Sequence, residues 1–528
     1  MKRSKSRNVS TFSFSIAGTA MAVWLAAFAV APQVAAQGPS QPSQPQHTLA
    51  NPLPLSGRAG GSGSVTAVEA PIAGTTNSVT TINPSVQVQG PYAGSSSSTA
   101  RMPFSGKLSL HDAIERGLSY NLGAAGLNQA VRQAQGQSQI SRSALLPNIS
   151  GYLAESLQQA NLAAEGLRIH VPIPGFVFPT VVGPFNNIDL RGNVSQSIVD
   201  LTAWNNYRAS SEVVRAAQFS ARDSRDAVVL AVCGAYLQII ATTERVKSAH
   251  AQLDTATSLF QQTQQERGVG LVAQIDVDRS EVEQLTQQQR VISLETELAK
   301  EKIALARMTG LPPRDDFELT DEVPFAAAPA LGLDEAISQA FARRADIKAA
   351  QAQVRAAERA VAAAHAERLP SLSVSGNYGA IGTNPSQASA TFSAAATLSV
   401  PIWQGGRTEG DIKQAQASLG QRQAELEDLK GQVEGDVRNA YLDVQAATSQ
   451  VKLAQRNLQV SRETLELTRQ RFEAGVTDNV EVVQAQEALA SAELDGINSV
   501  FAHNVAKLSL ARAIASAADN LRQFLNLK

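Results

Sequence analysis

The sequence is poor in cysteine, histidine and long apolar runs, and each scarcity excludes a class of protein. Cys233 is the single cysteine, so no intrachain disulfide can form. The six histidines are scattered, with no pair at metal-ligand spacing and no nucleophile motif, so we expect no enzyme, no metal centre and no cofactor. After residue 30 no segment offers about 18 consecutive apolar residues, which excludes a helical membrane anchor.

The N-terminal segment has the pattern of a secretory signal peptide. Four basic residues lie among the first seven, an apolar run covers 16–30, and Val34-Ala35-Ala36 provides a cleavage site, so we predict a signal peptide over 1–36. Gln37 follows that site where a lipoprotein would have cysteine. Without the four basic residues, 41 Lys and Arg stand against 47 Asp and Glu, and a net charge of −6 excludes a nucleic-acid partner.

Residues 37–105 are rich in Gly, Ser, Pro, Gln and Thr and carry few charges. Such a composition buries too little apolar surface to offset the entropy of ordering the chain. We therefore predict a disordered leader over 37–105, with the glycines near Gly60 acting as a linker.

The rest of the chain is duplicated. Leu108, Leu110 and Ala113 recur at an offset of 223 as Leu331, Leu333 and Ala336. At an offset of 205, Ala235-Tyr236-Leu237 recurs as Ala440-Tyr441-Leu442. Two copies of one unit are therefore predicted, over 106–330 and 331–528.

Each unit contains one very long helix with a seven-residue apolar period. We predict long helices over 206–267 and 407–472, and shorter ones over 273–309 and 333–367. In the second long helix Val437, Val444 and Val451 are spaced seven apart, and the first long helix repeats the pattern. A sustained heptad period is typical of left-handed coiled coils.

Four segments of about ten residues alternate between apolar and small polar side chains. They predict strands over 148–158, 187–199, 371–380 and 389–402. This alternation suits a membrane barrel with a wet interior, and a half-buried sheet of a soluble sandwich is the alternative.

Four strands cannot close a barrel, and an open edge in lipid leaves backbone groups unsatisfied. Three copies would supply twelve strands, enough for an aqueous lumen. We therefore expect an α+β membrane protein with four transmembrane strands per chain, closed as a homotrimer. All helices lie on the periplasmic side, and 160–186 and 381–388 form the outer loops.

Residues 106 to about 518 resemble the TolC-type outer-membrane efflux protein family. The resemblance rests on the duplication, on the segment Val400-Pro401-Ile402-Trp403-Gln404-Gly405-Gly406-Arg407 and on the turn that begins Val269-Gly270-Leu271. It implies a trimer with a twelve-strand barrel in the outer membrane and a periplasmic coiled-coil α-barrel. It also implies that two hairpin tips, 268–278 and 474–483, meet a periplasmic adaptor joined to an inner-membrane pump.

The resemblance further implies an acidic constriction at the tips. By position this falls on Asp276 and Glu481, with Asp278 as a third pore-gate candidate, although acids favoured by the helix dipole are an equal alternative. Candidates for adaptor contact are Gly270, Leu271, Val272 and Gly475, for which a plain turn is the alternative. Thr477 and Phe472 replace an arginine and a tyrosine that would lock the second tip, so that lock cannot be transferred.

We therefore expect the passive exit duct of a tripartite efflux or type I secretion system. A soluble periplasmic coiled-coil scaffold is the alternative, but it would leave the alternating strands unexplained. The sequence does not choose between drugs, metal ions and proteins as the transported substrate.

Overall fold

The fold is described from a computed structural model. It covers residues 64–72, 81–96, 103–162, 164, 179–314, 316–321, 325–328, 331–474, 476–477, 479–517 and 524. The predicted signal peptide over 1–36 lies outside the described residues.

The described chain is mostly helical, with one four-stranded sheet and two small pairs of strands. The strands are β1 (Val65–Ile72), β2 (Thr81–Val88), β3 (Lys107–Leu108), β4 (Asn148–Asn161), β5 (Val181–Val199), β6 (Glu318–Leu319), β7 (Ser371–Gly382) and β8 (Ser389–Ser399). The helices are α1 (Leu110–Tyr120), α2 (Leu122–Ser143), α3 (Leu201–Gly268), α4 (Gln274–Thr309), α5 (Leu333–Arg343), α6 (Ala345–Ala366), α7 (Arg407–Glu473) and α8 (Asn479–Ala513).

The long helices α3 and α7 organise the helical part. With 68 and 67 residues they are each about 100 Å long at ~1.5 Å per residue. Towards the sheet the packing order is α2, α3, α6, α7, and towards the hairpin tips it is α4, α3, α8, α7. In both halves α7 therefore forms one edge of the layer, and α2 or α4 forms the other.

The main core lies where α3, α4 and α8 meet. Val228, Val232 and Tyr236 of α3 are fully buried there, together with Leu305 of α4 and Leu508 of α8. Among the described helices, α3 contains an 18-residue stretch apolar enough to cross a membrane, but 72% of that stretch is buried inside the chain. Its apolar character is accounted for by this core.

Both units contain the same break between two short helices. Asn121 separates α1 from α2, and Arg344 separates α5 from α6; 344 is 121 plus the offset of 223. The backbone angles agree, with φ −59° and ψ 131° at Asn121 and φ −54° and ψ 127° at Arg344. The continuous helix predicted over 333–367 is therefore wrong at Arg344, whose extended ψ ends the helix.

The four long strands form one antiparallel sheet in the order β4, β5, β7, β8. Strands β4, β5 and β7 extend beyond the predicted bounds, whereas β8 ends at Ser399 instead of residue 402. Pro401 has no N–H to donate to a ladder, and Gly405 and Gly406 have positive φ of 64° and 84° in the turn that leads to α7.

The prediction of a disordered leader over 37–105 is wrong at β1 and β2, which lie inside that segment. β1 and β2 pair as an antiparallel hairpin from Val65↔Val88 to Ile72↔Thr81. The hairpin packs on α3 at Gly234, where an added Cβ would lie 2.4 Å from Val86 Cγ2. The missing side chain makes room for the hairpin, a long-range contact that composition alone does not indicate.

Candidate functional site

The first hairpin tip connects α3 to α4 and needs a glycine. Gly270 has φ +80°, a left-handed conformation that side chains disfavour, and open space surrounds its Cα. The Leu271 N–H donates to the Glu266 carbonyl at 2.9 Å, which closes the end of α3. Gly270 is thus explained by the turn itself.

The first tip exposes apolar side chains. Val269 and Leu271 are 74% and 75% exposed, Ile275 is largely exposed, and Val272 is half-buried. An exposed apolar cluster at the end of a long hairpin is typical of a surface that a partner covers. Leu271 and Val272 are among the candidates predicted from the sequence, whereas Val269 and Ile275 of the same short run are not.

The carboxylates of the first tip are engaged within their own helix. The Ala273 N–H donates to Asp276 Oδ2 at 3.3 Å, and Arg279 Nη1 lies 3.7 Å from Asp276 Oδ1. Gln274 Nε2 donates to Asp278 Oδ1 at 2.8 Å. Both acids therefore lie where a carboxylate stabilises the start of α4.

The second tip connects α7 to α8 and contains an ion pair between them. Arg471 Nη1, in the last turn of α7, lies 3.6 Å from Glu481 Oε2 in the first turn of α8. Phe472 packs against the buried cluster of Leu465, Val482 and Ala485. Arg471 was not predicted from the sequence, and its position in the last helical turn was the available signal.

Of the remaining candidates at this tip, Gly475 lies outside the described residues. Thr477 Oγ1 is buried and has no hydrogen-bond partner among the residues that the structure describes. Val476 is exposed, and Val480 is partly so, which gives the second tip an apolar surface like that of the first.

The four-stranded sheet has one apolar and one polar face. Directly paired residues project from the same face, and one row across all four strands reads Leu153, Leu190, Ala380, Ala390. A row on the other face, three residues away along each strand, reads Ser150, Asn193, Asn377, Ser393, where Asn377 Nδ2 donates to Ser393 Oγ at 2.8 Å. The alternation read from the sequence is therefore present as two faces of different polarity.

The apolar face and both sheet edges are exposed in the single chain. Ile149, Leu153 and Phe392 are 76%, 72% and 80% exposed. Strands β4 and β8 each pair on one side only, so each leaves a row of backbone groups without a ladder partner in the described chain.

The helical edges also carry unpartnered apolar rows. On α7, Leu453, Val460 and Leu467 are exposed at seven-residue spacing. On α4, the exposed apolar residues include Val282, Leu285 and Ile292. Such rows at heptad spacing are typical of a coiled-coil seam that packs against another helix.

Comparison with known proteins identifies the family of the chain. The family model of the outer membrane efflux protein matches residues 119–311 and 336–516, which is more than half of the chain. The chain is 25% identical over 316 residues to the pyoverdine export outer membrane protein OpmQ of Pseudomonas putida, covering 58% of this chain and 63% of that protein. It is 27% identical over 349 residues to the outer membrane protein OprJ of Pseudomonas aeruginosa, covering 65% and 70%.

A solved structure shows the same fold. The Campylobacter jejuni CmeC outer membrane channel superposes with a TM-score of 0.69 at 16% identity, covering 88% of this chain and 99% of that one. The chain spans slightly less than two-thirds of the OpmQ protein that it matches. The two matched segments fall on the two predicted units, and the chain belongs to the outer membrane efflux protein family.

Proposed function

We propose that three copies of this chain form a passive exit duct in the outer membrane. Substrates would reach it from an inner-membrane pump through a periplasmic adaptor. The observation that carries the proposal is that both edges of the chain lack a partner among the described residues. One edge is formed by β4, α2 and α4, and the other by β8 and α7.

The sheet supplies the first argument for closure by copies. In a bilayer each unpaired backbone group costs several kcal/mol, so open edges at β4 and β8 are not tolerated. Pairing β8 of one copy with β4 of the next removes both edges. Three copies give twelve strands, a number that leaves room for water inside, with the apolar face towards lipid.

The helices supply the second argument. The same rotation that brings β8 to β4 brings α7 to α4 of the next copy. The exposed row of Leu453, Val460 and Leu467 then meets the exposed row of Val282, Leu285 and Ile292. A head-to-tail contact of this kind repeats around an axis, and it forms a ring when the rotation between copies closes. The ring of helices below the barrel would be the periplasmic tunnel.

The hairpin tips are proposed as the gate and the adaptor contact. The apolar residues Val269, Leu271 and Val476 are free to be covered by a partner. In a trimer Asp276 and Glu481 would each occur three times around the aperture and favour cations there. Their arginine partners, 3.7 and 3.6 Å away, reduce that preference without removing it.

Conductance of single channels in planar bilayers tests the gate. The double variant Asp276→Asn, Glu481→Gln should raise conductance or lower cation preference, because both rings lose charge. Glu266→Gln, an acid bonded to Gln262 of its own helix, is the matched control. Unchanged conductance and selectivity in the double variant would remove both residues from the gate.

The transported substrate is a separate proposal. One relative is named for pyoverdine export, and another, from Burkholderia cepacia, is named a fusaric acid resistance protein. Small organic molecules are therefore the first class to test, ahead of proteins and metal ions.

The duct itself is tested by extraction and mass. The mature chain should need detergent to leave the membrane fraction and should run at three times its own mass in native mass spectrometry. A soluble monomer from the periplasmic fraction would overturn the duct and favour the coiled-coil scaffold.

A further inference from the structure

The four strands of the sheet contain very few charged residues. Across β4, β5, β7 and β8 the charged side chains are Glu155, Asp189 and Arg191. The pairing Glu155↔Ile188 places Glu155 on the apolar face. The other two lie two residues apart on β5 and therefore project from the polar face.

Asp189 and Arg191 bind each other in two places. Arg191 Nε donates to Asp189 Oδ1 at 2.6 Å, and Arg191 Nη2 donates to Asp189 Oδ2. This two-pronged arrangement fixes the guanidinium plane against the carboxylate. Asp189 is 8% exposed in a sheet whose side chains are mostly open, which shows how closely its neighbours cover it.

The adjacent strand is shaped to accept this pair. Gly379 is paired with Arg191 across β5 and β7. A Cβ at Gly379 would lie 2.0 Å from the Leu190 carbonyl oxygen and 2.6 Å from Arg191 Cγ. Glycine is therefore required at this position, because any side chain would displace β5 or the arginine.

The position of the pair within the chain is also informative. β5 is flanked by β4 and β7 of the same chain, so the geometry of the Asp189–Arg191 pair does not depend on contacts between copies. The other residues of the polar face nearby are uncharged, among them Asn193, Asn377 and Ser393. Each copy thus contributes one positive and one negative charge to this face.

We propose that the Asp189–Arg191 pair, repeated in each copy, forms a charge-balanced collar that keeps the barrel lumen indifferent to the sign of a passing ion or solute. The proposal rests on the duct proposed above, in which the polar face lines the lumen. Either partner alone would turn the collar into a ring of like charges. With both partners present, the collar favours neither cations nor anions.

The size of the effect follows from Coulomb's law. At about one Debye length, ~10 Å at 0.1 M salt, three like charges change the local concentration of a monovalent ion roughly twofold. Cations and anions change in opposite directions, so their permeability ratio should shift about fourfold. At 1 M salt the Debye length falls to about 3 Å and the shift should vanish.

Reversal potentials of the full-length channel in planar bilayers under a potassium chloride gradient test the proposal. Asp189→Asn should favour anions, Arg191→Gln should favour cations, and the double variant should restore the wild-type ratio. Glu155→Gln removes the same charge as Asp189→Asn from the opposite face and should change nothing. A hydrogen bond that only braced the strand would not reverse the sign of selectivity between the two single variants.

The outcomes separate the two proposals. Oligomeric channels whose permeability ratio is the same in all variants would overturn the collar and leave the duct intact. Wild-type protein that forms no oligomer and no channel would overturn the duct, and the collar with it. If one single variant fails to insert, the other and the double variant still predict a shift and its reversal.

Discussion

An aspartate at Leu453 should weaken assembly without unfolding the single chain. Leu453 belongs to the exposed row on α7 and is 71% exposed, so the chain's own core does not use it. In the proposed ring it faces α4 of the next copy. Leu453→Asp should therefore weaken the contact between copies and leave the fold of the single chain nearly unchanged.

The magnitude follows from the area that assembly would bury. Full burial of a leucine side chain is worth about 1.5–3 kcal/mol, so the exposed fraction corresponds to about 1–2 kcal/mol per contact. Three contacts in a closed ring give about 3–6 kcal/mol, and a desolvated carboxylate adds to the cost. At ~1.4 kcal/mol per tenfold change, the assembly constant should fall by about 10²- to 10⁴-fold.

The assay is native mass spectrometry of detergent-extracted protein over a dilution series. Gln455→Asp is the matched control, since it introduces the same charge two residues away on an exposed position outside the row. The control should remain trimeric where Leu453→Asp dissociates. Equal trimer stability in both variants would show that α7 does not face a neighbouring copy, and would refute the ring order.

Two further predictions use the duplication for their controls. The Tyr236 hydroxyl donates to the Leu108 carbonyl at 3.0 Å and to Asp321 Oδ2 at 3.1 Å. Tyr236→Phe should therefore lower the free energy of unfolding by about 1–3 kcal/mol in denaturant titrations, whereas Tyr441→Phe at the equivalent position should cost little. Burial lowers the pKa of Lys507 from 10.5 to about 8. Between these values the unfolded chain binds more protons than the folded chain, so the free energy of unfolding should increase with pH from 8 to 10.5. Lys507→Met should flatten that increase in unfolding measured across this range, and Lys302→Met at the equivalent position should not.

The periodic parts of the fold could be predicted because side-chain spacing determines which face is buried. Val437 and Val451, read from the heptad period, are fully buried on α7. The strand alternation likewise appears as two faces of the sheet. The exposed row that includes Leu453 also repeats every seven residues, but it is not part of the one seam predicted for this helix.

Contacts between distant segments could not be predicted in this way. The hairpin of β1 and β2 depends on the fit of Val86 over Gly234, about 150 residues away in the chain, within a segment whose composition resembles a linker. The alternation of Val86 and Val88 was the available signal. Two valines are too few to outweigh the polar residues around them.

The tips show where duplication stops being informative. Asp276 and Glu481 occupy equivalent positions at the offset of 205, but their arginine partners do not. Arg279 lies on the same helix as Asp276, whereas Arg471 lies on the helix that precedes Glu481. The position equivalent to Arg471 is Glu266 in the first unit. The second ion pair therefore resists separation of its two helices, and the first only stabilises one helix end. If both tips move during opening, the second hairpin has an electrostatic tie between its helices that the first lacks.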